Sequence, residues 1–249
     1  LAEANDQPLR PPPGLAERLR DAVLYEDREL LVLDKPAGLA VHKGSGLEYG
    51  IIEVLRATRP DEPFLELAHR LDRDTSGCLA LARTPAALRL IQQAFRAGQV
   101  EKRYLALVYG YWNHGPREVN QPLRRNVLRS GERMVEVLED GKAARTRFQP
   151  VSLFKPASLL EARIDTGRTH QIRVHAAHVG HPLAGDDKYG DAGFNRLMAE
   201  QYGLRRLFLH AHSLNLPLGG RDIAVSAPLD AELKTVLNRL DASHQRSRT

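Results

Sequence analysis

The sequence predicts an α+β fold built on a mainly antiparallel sheet. Short apolar stretches recur in hairpin-like succession, few helical stretches lie between them, and turn residues separate most neighbours. With 249 residues, 42% of them hydrophobic and 27% charged, the chain can bury a sizeable core and has an ordinary globular composition. Apolar runs stay short, as in Cys78-Leu79-Ala80-Leu81-Ala82, which excludes a transmembrane helix, and no membrane partner is expected. Cys78 is the single cysteine, so neither an internal disulfide nor a cysteine-rich metal site can form.

Residues 1–22 read as a linker, because Pro8, Pro11, Pro12, Pro13 and Gly14 sit among charges without apolar periodicity. The chain opens at Leu1 with no basic-then-apolar leader, and we expect a piece of a longer cytoplasmic protein. Regular structure begins near Val23. Leu30-Leu31-Val32-Leu33 reads as a strand, broken by the turn Lys35-Pro36-Ala37-Gly38. Leu47, Ile51, Ile52 and Leu55 fall at helical spacing over residues 47–57, and residues 78–82 form an apolar strand. Thr84-Pro85 supplies an N-cap with proline at the first helical position, and Gly98 closes that helix after Phe95.

Tyr104-Leu105-Ala106-Leu107-Val108-Tyr109 reads as a strand, with weaker strand patterns near 134–138, 144–151 and 158–164. Residues 170–179 suit a helix ending at Gly180; strands follow at 205–213 and 222–226, and a last helix spans about 229–240. One domain over residues 23–241 and a disordered tail over 242–249 complete the expectation.

Chemistry concentrates in three stretches. His69-Arg70-Leu71-Asp72-Arg73-Asp74-Thr75-Ser76-Gly77 lies on a loop just before a buried strand, where a rigid sheet edge holds polar groups well. Arg70 and Arg73 flank Asp72 and favour its ionised form, which is a nucleophile or base rather than a general acid. A surface loop with charge pairs and a Thr-Ser-Gly turn is the plain alternative.

In Asp165-Thr166-Gly167-Arg168-Thr169-His170-Gln171-Ile172-Arg173-Val174-His175, a glycine-bearing turn opens a helix whose free N–H groups attract phosphate or carboxylate. One arginine, Arg168 or Arg173, could meet phosphate while the other pairs with a carboxylate such as Asp72. A capped helix with a solvated basic face fits the same residues. Lys102-Arg103-Tyr104 puts a ring beside cations, as base stacking requires, although Tyr104 taken alone reads first as a core or half-buried strand residue.

The ordered set HRLDRDTSG, KRYLALVYG and TGRTHQIRVH resembles the RluA family of pseudouridine synthases, over nearly the whole chain from about Tyr25 to Leu240. LVLDKPAG, GHPLAGDDKYG at 180–190 and RLFLHAHSL at 206–214 extend the likeness. AVHKGSG at 40–46, FLELAHRLDRDTSG at 64–77 and LRSGER at 128–133 resemble its RluC branch, which acts on large-subunit (23S) ribosomal RNA. The resemblance implies a pseudouridine synthase fold, a mixed, mainly antiparallel sheet flanked by helices with the active-site cleft across it. It also implies an RNA-binding domain upstream of the present residues.

Residue by residue, the resemblance implies that Asp72 is the catalytic aspartate and that Tyr104 stacks on the target uracil. Arg173 would pair with Asp72 and orient it, and Leu209 would line the uracil pocket. Arg70 would enter the RNA near the extruded nucleotide, and Lys102, Arg168 and His170 would contact its backbone. No cofactor and no metal are expected, the substrate being a loop or bulge uridine of ribosomal RNA and the enzyme a monomer.

The motif G-x-x-x-x-G-K-[ST] is absent, in keeping with an isomerisation that needs no energy input. Other classes stay open at this level: action on tRNA, a non-catalytic RNA-binding module, or a metal-dependent hydrolase using His170, His175, His178 and His181. A serine hydrolase lacks its G-x-S-x-G elbow. Charge favours an RNA partner. The formal balance is only +5, yet residues 1–68 hold 8 basic and 13 acidic side chains, while residues 69–249 hold 28 and 18. All the proposed RNA-facing motifs lie in that basic portion. The excess of Arg, 29 against 7 Lys, suits bidentate phosphate contacts but equally follows from GC-rich codons.

Overall fold

The structure, a computed structural model, describes residues 12–44, 49–127 and 133–246. Its first elements are α1 (Leu15–Asp21), β1 (Val23–Glu26), β2 (Leu30–Lys35), α2 (Ile51–Thr58), β3 (Glu66–Leu67), β4 (Ser76–Ala82) and α3 (Pro85–Arg96). Then come β5 (Glu101–Tyr109), β6 (Arg117–Asn120), β7 (Leu123–Val127), β8 (Arg133–Val137), β9 (Arg145–Leu153) and β10 (Ala157–Ile164). The last third holds α4 (Gln171–His178), α5 (Ala192–Leu197), a π-helical turn (Met198–Tyr202), β11 (Leu209–Leu218), β12 (Arg221–Ser226) and α6 (Ala231–Arg246).

Among the described residues one ten-stranded sheet runs β1-β2-β4-β11-β5-β10-β9-β6, with β12 on β11 and β3 on β4; β7 and β8 form a separate hairpin. Every strand pair is antiparallel except β4 with β11. The predicted α+β class with a mixed, mainly antiparallel sheet is therefore what the chain adopts.

The period-2 rule assigns each face of the central strands. Leu31, Leu33, Leu79 and Leu81 join Tyr104, Ala106 and Leu209 in one core cluster. Leu30, Val32, Cys78, Ala80 and Ala82 point the other way, onto Ala87, Ile91 and Ala94 of α3. Covered on both sides, β4 is buried at all seven positions, which is why its sequence is continuously apolar rather than alternating. α3 starts as its sequence dictates: the Thr84 side chain accepts from the Ala87 N–H at 3.1 Å, and Pro85 opens the helix. α4 closes on Gly180, whose φ of +85° lets its N–H reach the Ala177 carbonyl while His181 N–H reaches Ala176.

Several boundaries differ from expectation. Within residues 1–22, Leu15–Asp21 forms a helix, so the linker reading fails there; Pro8 and Pro11 lie outside the described residues. Only Leu15 and Leu19 form its apolar stripe, too short to read, and packing into the main core holds it. α6 continues to Arg246, correcting the expected tail over 242–246, and residues 247–249 lie outside the described ones. The strand expected at 205–213 begins at Leu209 and runs to Leu218, paired with β12. Of the stretches 40–46 and 128–133, residues 45–46 and 128–132 lie outside the described ones.

The parallel contact of β4 with β11 is short, His210 opposite Ser76 and Ala211 opposite Gly77. Gly77 has φ +106°, and a Cβ there would collide with the Ala211 carbonyl group and come within 2.7 Å of its amide nitrogen. Backbone cannot yield as a side-chain tip can. Gly77→Ala is therefore expected to cost about 2–5 kcal/mol, read from urea unfolding, through strained backbone and a forced gap beside Leu209.

Candidate active site

Three adjacent strands in the middle of the sheet deliver the site. Asp72 lies on the loop that leads into β4, Leu209 opens β11, and Tyr104 stands on β5, where Ala106 pairs with Leu209. A cleft of about 820 Å³ opens there across the sheet. Seven of the eight residues predicted for the site line it: Asp72, Tyr104, Arg70, Leu209, Lys102, Arg168 and His170. Arg173 does not.

The Asp72 loop is latched from below by a residue that sequence reasoning passed over. Lys35 is fully buried, and its ammonium donates to the carbonyls of Pro36 (2.8 Å), Leu39 (2.7 Å) and Arg73 (2.9 Å). Burial pulls its pKa down to about 7, with Asp74 and Asp72 opposing. Three carbonyl acceptors nonetheless require three N–H donors, which only the protonated form has. The Gly38 N–H reaches the Arg73 carbonyl too, at 2.9 Å, so the Lys35-Pro36-Ala37-Gly38 turn clasps the loop carrying Asp72. Lys35→Met is expected to lower stability by about 2–4 kcal/mol in urea unfolding, by taking the ammonium donor from three carbonyls, of which that of Arg73 keeps the Gly38 N–H.

Within the loop the Thr75 N–H donates to the Asp72 carbonyl at 3.2 Å, and Ser76 Oγ lies 2.9 Å from His210 Nδ1. Arg73 turns to Asp74, at 3.2 Å, so the flanking arginine read as a partner for Asp72 is engaged elsewhere.

The second motif forms the opposite wall. Gln171, buried at the start of α4, holds the preceding turn in shape. Its carbonyl oxygen accepts from Thr166 Oγ1 (2.7 Å) and the Arg168 N–H (3.1 Å), and its amide donates to the Arg145 carbonyl (2.9 Å). Arg168 is exposed, with Nε donating to the Ala143 carbonyl at 3.1 Å. Lys102 reaches across from β5, its ammonium 5.2 Å from the Phe95 ring centre, and burial lowers its pKa to about 8. Tyr104 is 7% exposed; burial, then Asp72, raises its hydroxyl pKa, so the ring presents a neutral face.

Arg173 departs from expectation. Its guanidinium grips Asp186, Nε to Oδ2 at 2.7 Å and Nη2 to Oδ1 at 2.6 Å, and no ion pair with Asp72 occurs among the described residues. The reason is burial. The Asp186 side chain is 0% exposed and needs a countercharge, whereas that of Asp72 is 30% exposed to the cleft. Asp186 also accepts the N–H groups of Lys188 (2.9 Å) and Tyr189 (3.0 Å). Arg173 lies over the Tyr189 ring at 5.1 Å, and the Tyr189 hydroxyl meets His170 Nδ1 at 2.8 Å. It is His170 that stands beside Asp72, Nε2 to Oδ2 at 4.0 Å.

The histidines do not converge. His175 lies between Thr146 Oγ1 and the Gln121 carbonyl, both at 2.9 Å, and His181 Nδ1 sits 2.7 Å from the Tyr109 carbonyl. Asp186 and Tyr189 belong to GDDKYG, which sequence reading noted without assigning roles. Their partners lie thirteen and sixteen residues away, beyond any local pattern.

Residues 29–178 match the model of a family described as RNA pseudouridylate synthase. The chain belongs to the RNA pseudouridylate synthase family. Among curated relatives, "Ribosomal large subunit pseudouridine synthase C" of Pasteurella multocida is 49% identical over 242 residues, 96% of this chain and 74% of the relative. The protein of that name from Escherichia coli K12 is 47% identical over 255 residues, 96% of this chain and 80% of the relative. Among solved structures, human RNA Pseudouridylate Synthase Domain Containing 4 superposes with a TM-score of 0.76 at 29% identity, covering 91% of this chain and 95% of that one. The human Domain Containing 1 protein gives 0.75 at 25%, covering 94% and 97%.

Proposed function

We propose that this protein isomerises specific uridines of large-subunit ribosomal RNA to pseudouridine, with Asp72 as its catalytic carboxylate. The observation that carries this reading is the central cleft: a carboxylate, a flat ring and an apolar wall, Asp72, Tyr104 and Leu209, meet there in one site. The ribosomal substrate is supported by the names of relatives 47–49% identical over nearly the whole chain.

In the reaction the N1–C1′ bond breaks, the uracil turns, C5 bonds to C1′, the C5 proton leaves and N1 becomes protonated. Atoms and electrons balance without a redox partner or donor. A loop or bulge uridine must leave its stack to enter, and the site replaces what the base loses. Tyr104 offers its face, Leu209 a dry wall, and exposed Arg70 stands at the rim to take the vacated place. Lys102, Arg168 and the helix start at α4 hold the flanking phosphates. Asp72 then acts as nucleophile or base at the glycosidic bond. Arg173 serves from behind the wall, through Asp186 and Tyr189. A monomer carries the whole site, and the reading implies the cytoplasm, where ribosomal RNA is processed in bacteria.

Incubating the protein with ribosomal RNA tritiated at uridine C5 tests this. Tritium release, with pseudouridine mapped to discrete large-subunit positions, is the expected result. No release from ribosomal RNA, or release from tRNA alone, overturns the substrate.

A further inference from the structure

We propose that His170, locked by Tyr189, is a positioning residue that aims the Asp72 carboxylate. This rests on the reading of Asp72 as the catalytic carboxylate. Hydrogen-bond accounting favours one tautomer. The Tyr189 oxygen lies 3.0 Å from the Val135 backbone nitrogen, which can only donate, so one hydroxyl lone pair is filled by that N–H. The hydroxyl proton is then free to be given, and His170 Nδ1 receives it at 2.8 Å. With Nδ1 as acceptor, the ring's own proton sits on Nε2, facing Asp72 Oδ2. The opposite tautomer would strand the hydroxyl proton and set a bare nitrogen lone pair against a carboxylate. Both ends of the ring therefore demand the same state.

The gap of 4.0 Å is not yet a hydrogen bond. It closes with a shift of roughly 1 Å, of the kind that catalytic hydrogen bonds undergo when substrate fills the site. The backbone carries a separate mark of function. His170 has φ +54°, the only non-glycine residue with positive φ among the described ones. It stands at the N-cap of α4 in the left-handed region, a conformation better suited to Asn, and gives no side-chain cap. The strain is tolerated at a position whose side chain does nothing for the helix and points to the site.

Charge fits the role. Burial lowers the His170 pKa; Arg173 and Lys188 add to that, while Asp72 and Asp186 oppose it. A neutral imidazole directs one carboxylate oxygen by a single N–H and leaves the other oxygen its full basicity, which a bidentate arginine would not. Arg173 instead braces the Tyr189 ring from above, at 5.1 Å.

The test is single-turnover pseudouridine formation on a ribosomal RNA stem-loop, with RNA affinity measured in parallel. His170→Asn suits the left-handed backbone but places its amide nearer the Nδ1 position, whereas His170→Gln carries a donor near Nε2. At saturating RNA, so that a lost backbone contact does not enter the rate, His170→Asn should slow the chemical step about 10–100-fold, and His170→Gln should recover most of it. Tyr189→Phe keeps the ring under Arg173, removes the lock together with the acceptor of the Val135 N–H, and should slow the step about 3–10-fold. Wild-type rates in His170→Asn or Tyr189→Phe, or equal losses in His170→Asn and His170→Gln, overturn the proposal. Activity surviving in Asp72→Asn would instead sink the catalytic reading beneath it, so the two failures are distinct.

Discussion

Asp72→Asn should abolish pseudouridine formation, with a fall of about four orders of magnitude or more in the single-turnover rate. The substitution keeps the side chain's shape and removes its charge and basicity, so position 72 offers neither nucleophile nor base. Stability should barely change, by less than about 1 kcal/mol, because the side chain is 30% exposed and, among the described residues, makes no ion pair closer than the 4.0 Å approach of His170. RNA binding should persist or tighten slightly, since removing a carboxylate from a basic cleft relieves repulsion of phosphate. The decisive measurements are rate and affinity on the same RNA. A variant that binds and turns over near the wild-type rate would remove Asp72 from the chemistry.

The reason so much of this site could be read from the sequence is that its chemistry sits in short ordered stretches. Asp72, Tyr104 and Leu209 each belong to a motif that also forms a strand or leads into one, so placing the central strands placed the groups. β4 was legible because burial on both faces demands an unbroken apolar run, and α3 because Thr84 and Pro85 mark its start. What stayed hidden depends on long-range pairing. Lys35 reads as a turn residue until the Arg73 carbonyl, 38 positions away, comes within 2.9 Å. Arg173 was expected to pair with Asp72, and only the fold reveals that Asp186 is buried and takes it while Asp72 faces the cleft. The parallel contact of β4 with β11 joins residues more than 130 positions apart, so no local pattern announces it.

The second large effect belongs to Asp186. Burial by itself would raise its pKa, but the Arg173 fork and the N–H groups of Lys188 and Tyr189 outweigh that and hold it below the usual carboxylate value. Asp186→Asn leaves a cation whose side chain is only 9% exposed without its ion-pair partner, and is expected to cost about 3–5 kcal/mol at pH 7 in urea unfolding. The sign of the pH dependence follows. A carboxylate with a depressed folded-state pKa stabilises above its unfolded pKa and loses that contribution as pH falls through the folded value. The deficit of Asp186→Asn relative to the wild type should thus be full at neutral pH and shrink only under acid conditions, below the ordinary carboxylate range. Adding Arg173→Met to Asp186→Asn should return part of the lost stability, because the orphaned charge is gone, yet not the activity, because Tyr189 then loses the cation across its ring. A single-variant cost below about 1 kcal/mol would show that the pair is not what anchors the wall behind Asp72.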